Sequence, residues 1–194
     1  MVRTSRALKK ASPESGVRPL SPVPCPLLLL LLLPLSPAPA PWSFPMANAK
    51  IDILGLGDLE LVTNLYNQIF KPARDIEFFR RRFKGRYNGL IMVASVEERE
   101  IGFLLGFELK PSAFFVWLYG VQADFRRQGI AEQLLEAAGA WAKDQGYASV
   151  RMECHNQHRP SLHMAIKQMY DIVGIRWDSD RGDNLVLFEK LMDH

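Results

Sequence analysis

Val121-Gln122-Ala123-Asp124-Phe125-Arg126-Arg127-Gln128-Gly129-Ile130-Ala131 is the stretch whose reading decides the fold. An apolar, aromatic-rich run from Phe114 to Val121 leads into it, and a helix-forming run from Glu132 to Gln145 follows. A strand that turns through a glycine-containing loop into a helix leaves the first N–H groups of that helix without partners. Those groups, with the positive end of the helix dipole, make a site for phosphate. Gly129 lets the backbone come close to a ligand, and Ala131 keeps that surface small. Arg126 and Arg127 add positive charge beside it.

Working outward, Lys50 to Leu54 alternates and reads as a first strand. Gly55-Leu56-Gly57 reads as a turn and Asp58 as the cap of a helix to about Phe70, with Leu61, Leu65 and Ile69 on its apolar face. Asp75 caps a second helix, Ile76 to about Phe83, which carries Arg80, Arg81 and Arg82 as a solvated face beside a ligand mouth. Strands follow at Leu90–Val96 and Ile101–Leu109, separated by the charged turn Glu97 to Glu100. Pro111-Ser112 turns the chain into Phe114–Val121. The helix from Gly129 to Gln145 places Ile130, Leu134, Ala137, Ala138 and Trp141 on its buried side, and Gly146 ends it. A strand at Ala148–Glu153, a short helix from Pro160 to about Met169, and strands at Asp171–Trp177 and Asn184–Leu191 complete the chain.

The 194 residues divide sharply at Met46. Ten of the thirteen prolines precede it, and so do Arg3, Arg6, Lys9, Lys10 and Arg18 against the single acid Glu14. The leading segment thus carries +4 of the formal +3, and the rest of the chain carries −1. The basic balance belongs to the leading segment, so the remainder offers no electrostatic case for nucleic acid. Residues 1–45 read as a disordered, Pro/Leu-rich extension outside the fold. Its basic start, Leu27–Leu33 and Ala38-Pro39-Ala40 imitate a signal peptide, but Pro34 interrupts the apolar run and Pro41 follows the small residues. The run is also far shorter than the roughly 20 residues that span a bilayer. Three readings stay open: Met46 as the true start, an organelle-targeting peptide, or a signal or anchor. Cys25 and Cys154 define no disulfide framework or zinc spacing, and Cys154 reads as a packed thiol.

The loop resembles motif A of the GCN5-related N-acetyltransferases (GNAT), in which Arg/Gln-x-x-Gly-x-Gly/Ala cradles the pyrophosphate of acetyl-CoA. Arg126, Gly129 and Ala131 stand at its three fixed places, and Asp124-Phe125 matches the usual lead-in. The order β-α-α-β-β-β-α-β-α-β-β is similar to that family's over nearly all of Met46 to His194, as in its bacterial-type single-domain members. The resemblance implies an α/β fold of the GNAT acyl-CoA N-acyltransferase type, a mixed and mostly antiparallel sheet with helices on both faces. It implies that the strands at Phe114–Val121 and Ala148–Glu153 splay apart around the cofactor. Arg126, Arg127, Gln128, Gly129, Ile130 and Ala131 are then cofactor-binding, with Leu118, Tyr119 and Val121 along the acyl chain.

The reaction implied is direct acetyl transfer from acetyl-CoA to a primary amine, on a small molecule, a lysine or a protein N-terminus. It needs a base, donors for the oxyanion and an acid for the leaving thiolate. Family members carry Asn-x-x-Ala-x-x-Leu-Tyr on the helix after the fifth strand. Aligned from Glu153, His158 falls at the Asn and Ser161 at the Ala, which makes both cofactor-binding candidates, while Ala165 falls at the tyrosine. Tyr119 and Tyr170 are therefore the candidate acids. Glu153, at the end of its strand, is the candidate base acting through water, with Glu108 and His155 behind it. The departure at Ala165 keeps a second reading open, an acetyl-CoA-binding module of the same fold with little or no turnover. His155, His158 and His163 match no metal spacing, so no metal is expected. Arg181-Gly182-Asp183 reads as turn chemistry. The acids Asp178, Asp180 and Asp183 hint at a cationic amine. The oligomeric state stays open, a homodimer among its options, since the family's last strands often pair between subunits. Use of acetyl-CoA implies a cytoplasmic setting, with neither nucleic acid nor membrane as partner of the folded part.

Overall fold

The computed structural model describes residues 47–192. The expectations for residues 1–45 lie outside the described residues. The order is β1 (Lys50–Leu54), α1 (Leu59–Ile69), α2 (Ile76–Phe83), β2 (Leu90–Val96), β3 (Arg99–Lys110), β4 (Ala113–Val121), α3 (Ile130–Asp144), β5 (Ser149–His155), α4 (Arg159–Lys167), β6 (Asp171–Asp178) and β7 (Asp183–Leu191). Short 3-10 turns at Leu56–Asp58 and Ala123–Phe125 precede α1 and α3. Among the described residues no helix is long and apolar enough to cross a membrane.

The seven strands form one sheet in the order β1-β2-β3-β4-β5-β7-β6. Every neighbouring pair is antiparallel except β4 and β5, which run parallel. The central strands are apolar on both faces because helices cover both. On one face Ile91, Val93, Phe103, Leu105 and Phe107 pack against Leu59, Val62, Tyr66, Phe79 and Phe83 of α1 and α2. On the other, Leu90, Met92, Phe114, Val116 and Met152 pack against α3 and α4 through Ile130, Leu134, Ala138, Leu162 and Ala165. The expected mixed sheet with helices on both faces is present.

Several local expectations are corrected. α1 buries Leu59, Val62, Leu65 and Tyr66, while Leu61 and Ile69 lie at its flanks. Two apolar stripes overlap on that helix, and only packing against the sheet chooses between them. Asp58 stands at the N-cap of α1 but makes no side-chain bond to that helix; its Oδ2 accepts from the Gly55 N–H at 3.2 Å and closes the preceding turn. Asp75 does cap α2, accepting from Phe78 N–H at 2.9 Å. α3 buries Leu135 and Ala142 in addition to Ile130, Leu134 and Ala138, and Ala137 and Trp141 only flank that core. α4 ends at Lys167, earlier than Met169. Cys154 is a buried free thiol.

Candidate active site

β4 ends at Val121, and the Ala123–Phe125 turn carries the chain to two left-handed residues, Arg127 at φ 64° and Gly129 at φ 80°. Gly129 is the N-cap of α3 and supplies no capping side chain. The Gln133 N–H bonds to the Gly129 carbonyl at 3.0 Å and opens the helical ladder. The N–H groups of Gln128, Gly129, Ile130, Ala131 and Glu132 make no backbone hydrogen bond among the described residues. A row of donors thus sits at the positive end of the α3 dipole. Arg126 and Arg127 are exposed beside it, and the Arg126 Nε donates to the Val121 carbonyl at 3.0 Å. Gln128 braces the loop from within, donating to the Asp124 carbonyl at 3.1 Å.

That loop stands at the open end of a gap in the sheet. β4 and β5 pair only from Ala113–Val116 against Ser149–Met152. β4 continues to Val121 and β5 to His155 without pairing each other. The register of β4 against β3 skips Trp117, since Leu105 faces Leu118 and Gly106 faces Val116. Such a bulge frees backbone groups from the ladder and turns the strand. Leu118 and Tyr119 are half-buried along the gap, and Val121 is buried against the α3 side.

On the α4 side of the gap the polar groups form a chain. Ser161 stands beside the Tyr119 hydroxyl, and the Ser161 Oγ lies 2.7 Å from His158 Nδ1. Burial pushes the Tyr119 phenol well above its ordinary range. Burial lowers the His158 imidazole, and the charges of Arg126 and His155 push the same way. The Cys154 thiol donates to the His155 and His158 carbonyls at 3.4 and 3.7 Å, and burial pushes its pKa up. Tyr170 lies outside α4, at the entry to β6, buried in the core with the Lys190 Nζ 5.8 Å from its ring centroid. Its phenol is pushed up to about 12 by burial. Ala165, where the resemblance looks for a tyrosine, is fully buried at 0% exposure.

On the opposite face Glu153 is half-buried, and its Oε2 accepts from Arg176 Nη2 at 2.8 Å. His155 follows two residues on, with Asp178 Oδ2 3.8 Å from its Nε2 and Asp183 Oδ2 3.7 Å from its Nδ1. Glu108 is elsewhere: it sits opposite Phe114, near the closed end of the gap, and accepts from Asn88 at 3.1 Å and Tyr147 at 2.9 Å. The Arg80–Arg82 row is divided. Arg80 pairs with Glu77 at 2.6 Å, whereas Arg82 turns over the Trp117 and Phe107 rings. Among the described residues no group of three or more His, Cys, Asp or Glu is placed to hold a metal. Arg176 as partner of Glu153, and the two aspartates around His155, are what reading the sequence missed. The signal available was Arg176 standing between Ile175 and Trp177 as the one charged residue of the run Ile172–Trp177.

The sequence pattern of the acetyltransferase (GNAT) family matches residues 59–169. No curated protein matches the chain. Among solved structures, the ribosomal-protein-S18-alanine N-acetyltransferase of Escherichia coli aligns with a TM-score of 0.66 at 14% identity, covering 76% of this chain and 96% of that one. Ard1 of Thermoplasma volcanium aligns at 0.65 with 19% identity over 75% of this chain and 99% of that one. NAA60 of Arabidopsis thaliana, solved in complex with acetyl-CoA, aligns at 0.61 with 15% identity over 75% and 99%. At such identities these likenesses speak for the fold, and the matched pattern speaks for the family. The loop at Gly129, the gap between β4 and β5 and the matched pattern agree: this chain belongs to the GNAT acetyltransferase family.

Proposed function

We propose that the protein moves the acetyl group of acetyl-CoA to a primary amine by direct attack in a ternary complex. The observation that carries this reading is the gap: β4 and β5 stop pairing after Val116 and Met152, and the donor row at Gln128–Glu132 stands at its open end. Unpartnered N–H groups at a helix start suit a pyrophosphate, and Arg126 and Arg127 supply its counter-charge. Leu118, Tyr119 and Val121 line the path of the acyl chain, and the bulged backbone at Trp117 offers donors to the thioester oxygen. His158, Ser161 and Ile130 border the same path.

In this reading Glu153 takes the amine proton through water, held in place by Arg176. Tyr119 donates to the departing sulfur. Its raised pKa keeps the phenol protonated. In the same reading the phenol regains its proton by way of Ser161, which stands beside it, and of His158, whose Nδ1 lies 2.7 Å from the Ser161 Oγ. Tyr170 is core packing. The phenol absent from α4 is supplied from β4 instead.

Acetyl-CoA binding by calorimetry, together with thiolate release over a panel of amines, tests the reading. Gly129→Val abolishes binding, because a β-branched side chain at φ 80° displaces the loop. Tyr119→Phe binds acetyl-CoA normally but loses roughly 10²-fold or more in kcat. Tight binding with no turnover on any amine leaves the alternative, a CoA-binding module of the same fold. A cytoplasmic setting follows from the donor.

A further inference from the structure

A cavity of about 180 Å³ opens on the α2 face of the sheet, with Arg82, Arg86, Arg151, Glu153 and Arg176 among its lining. It is smaller than the roughly 300–1,000 Å³ that drug-sized ligands occupy. Its floor is apolar, made by Phe107, Phe115, Leu187 and Phe188 among others. Glu153, the proposed base, is in its wall, one residue beyond the last β4–β5 pair.

The charges in that wall are unevenly neutralised. Arg176 is matched by Glu153 at 2.8 Å and Arg151 by Glu189 at 2.8 Å. Arg82 and Arg86 have no carboxylate within ion-pair distance among the described residues. Arg82 lies over the Phe107 and Trp117 rings at 5.4 and 5.2 Å, and Arg86 over Phe107 at 4.8 Å. The two like charges share one ring, and partial burial and the neighbouring Arg86 both push the Arg82 pKa down. A buried Arg151 Nε also lacks any hydrogen-bond partner. Two guanidiniums held together on aromatic faces, with an orphaned third donor in the same wall, are arranged for an anion. Glu153 is the one carboxylate in that lining, and outside it Asp178 and Asp183 stand 3.8 and 3.7 Å from the His155 ring.

We propose that the acceptor is a zwitterionic molecule of the amino-acid class with an apolar side chain. Its carboxylate lies between Arg82 and Arg86, and its amine lies beside Glu153. The inference rests on the acetyl-transfer reading and names the acceptor of that same site. The acidic hairpin alone hinted at a plain cationic amine; the arginine pair adds the anionic end. A forked guanidinium suits a carboxylate, and the apolar floor suits the side chain.

The test uses the full chain with acetyl-CoA and three acceptor sets: phenylalanine, leucine and methionine; their C-terminal amides; and phosphoethanolamine. The free amino acids are expected to give kcat/KM at least 10-fold above their amides and above phosphoethanolamine. Arg82→Ala and Arg86→Ala are expected to raise KM for the free amino acids 10-fold or more, to leave KM for the amides within about 2-fold, and to leave the acetyl-CoA Kd unchanged. Equal rates for acids and amides, a preference for phosphoethanolamine, or variants that impair both acceptor sets alike would overturn the proposal while leaving acetyl-CoA binding in place. Absence of acetyl-CoA binding by the unaltered chain would overturn the donor reading and this inference with it.

Discussion

Tyr119 and Tyr170 are two buried phenols with different surroundings. Tyr119 reaches Ser161 across the gap, while Tyr170 is enclosed in the core with 6% of its surface exposed. Burial raises the pKa of both because the phenolate is the form that loses solvation. The consequence for stability has a definite sign. The ordinary phenol value is 10.0, and that of Tyr170 in the fold is pushed up to about 12. Between those values the unfolded chain has released a proton that the folded chain keeps, so rising pH favours unfolding. The stability is fully present below about pH 10 and is lost as pH climbs toward about 12. Tyr170 is expected to account for roughly 1–3 kcal/mol of that loss. Urea midpoints from pH 8 to 12 should show a shallower alkaline decline for Tyr170→Phe than for the unaltered chain, and parallel declines would refute the assignment. That a tyrosine at 119 or 170 was a candidate acid was legible in the sequence. Which of them faces a polar partner was not, because Ser161 is 42 residues from Tyr119 in the chain.

Among elements, β4 shows how one strand serves both packing and site. Its first four residues pair with both β3 and β5, and after the bulge at Trp117 its last residues, Leu118 to Val121, pair with β3 and no longer with β5. Gly106 faces that bulge from β3. A Cβ there would meet the Phe114 ring at 2.5 Å and the Phe115 carbonyl oxygen at 2.8 Å. Backbone cannot retreat as a side-chain tip can, so Gly106→Ala is expected to cost about 1–3 kcal/mol and to disturb the strand around Trp117. Chemical denaturation gives the first quantity. Weaker acetyl-CoA binding in the refolded variant reports the second, and an unchanged Kd would show that the bulge does not shape the site. The strands were legible as alternating or apolar runs, and the hairpin turn before β3 as a cluster of charges. The face of α1 was not, since Leu61/Leu65/Ile69 and Leu59/Val62/Tyr66 satisfy the helical period equally well and only contact with Phe103 and its neighbours selects one.

For the molecule as a whole, the sheet is covered at its centre and bare at β6. Val173, Ile175 and Trp177 are 50%, 68% and 62% exposed, and Ile172 on the other face is 57% exposed. β6 is an edge strand, so its outer N–H and C=O groups are also unpaired within the sheet. Exposed apolar residues on an open edge favour pairing with another strand, and we propose that the partner is the same strand of a second copy. Sedimentation at increasing concentration is expected to show a dimer, and Trp177→Lys is expected to shift it toward monomer. A chain that stays monomeric at all concentrations would remove this proposal.

The sequence by itself determined the strand–loop–helix run around Gly129 and the succession of strands and helices, and its resemblance to the GNAT motif pointed to the family and to a sheet with helices on both faces. The first two depend on neighbours within a few residues or on the period of apolar positions, which a single chain displays directly. The tertiary structure alone decided where β4 and β5 part, that Arg176 holds Glu153, that Ser161 meets Tyr119, and that Arg82 and Arg86 share an aromatic floor. Those pairings join residues far apart in the chain. They depend on strand register, on one bulged residue and on the angle at which helices cross the sheet, none of which leaves a local mark in the sequence.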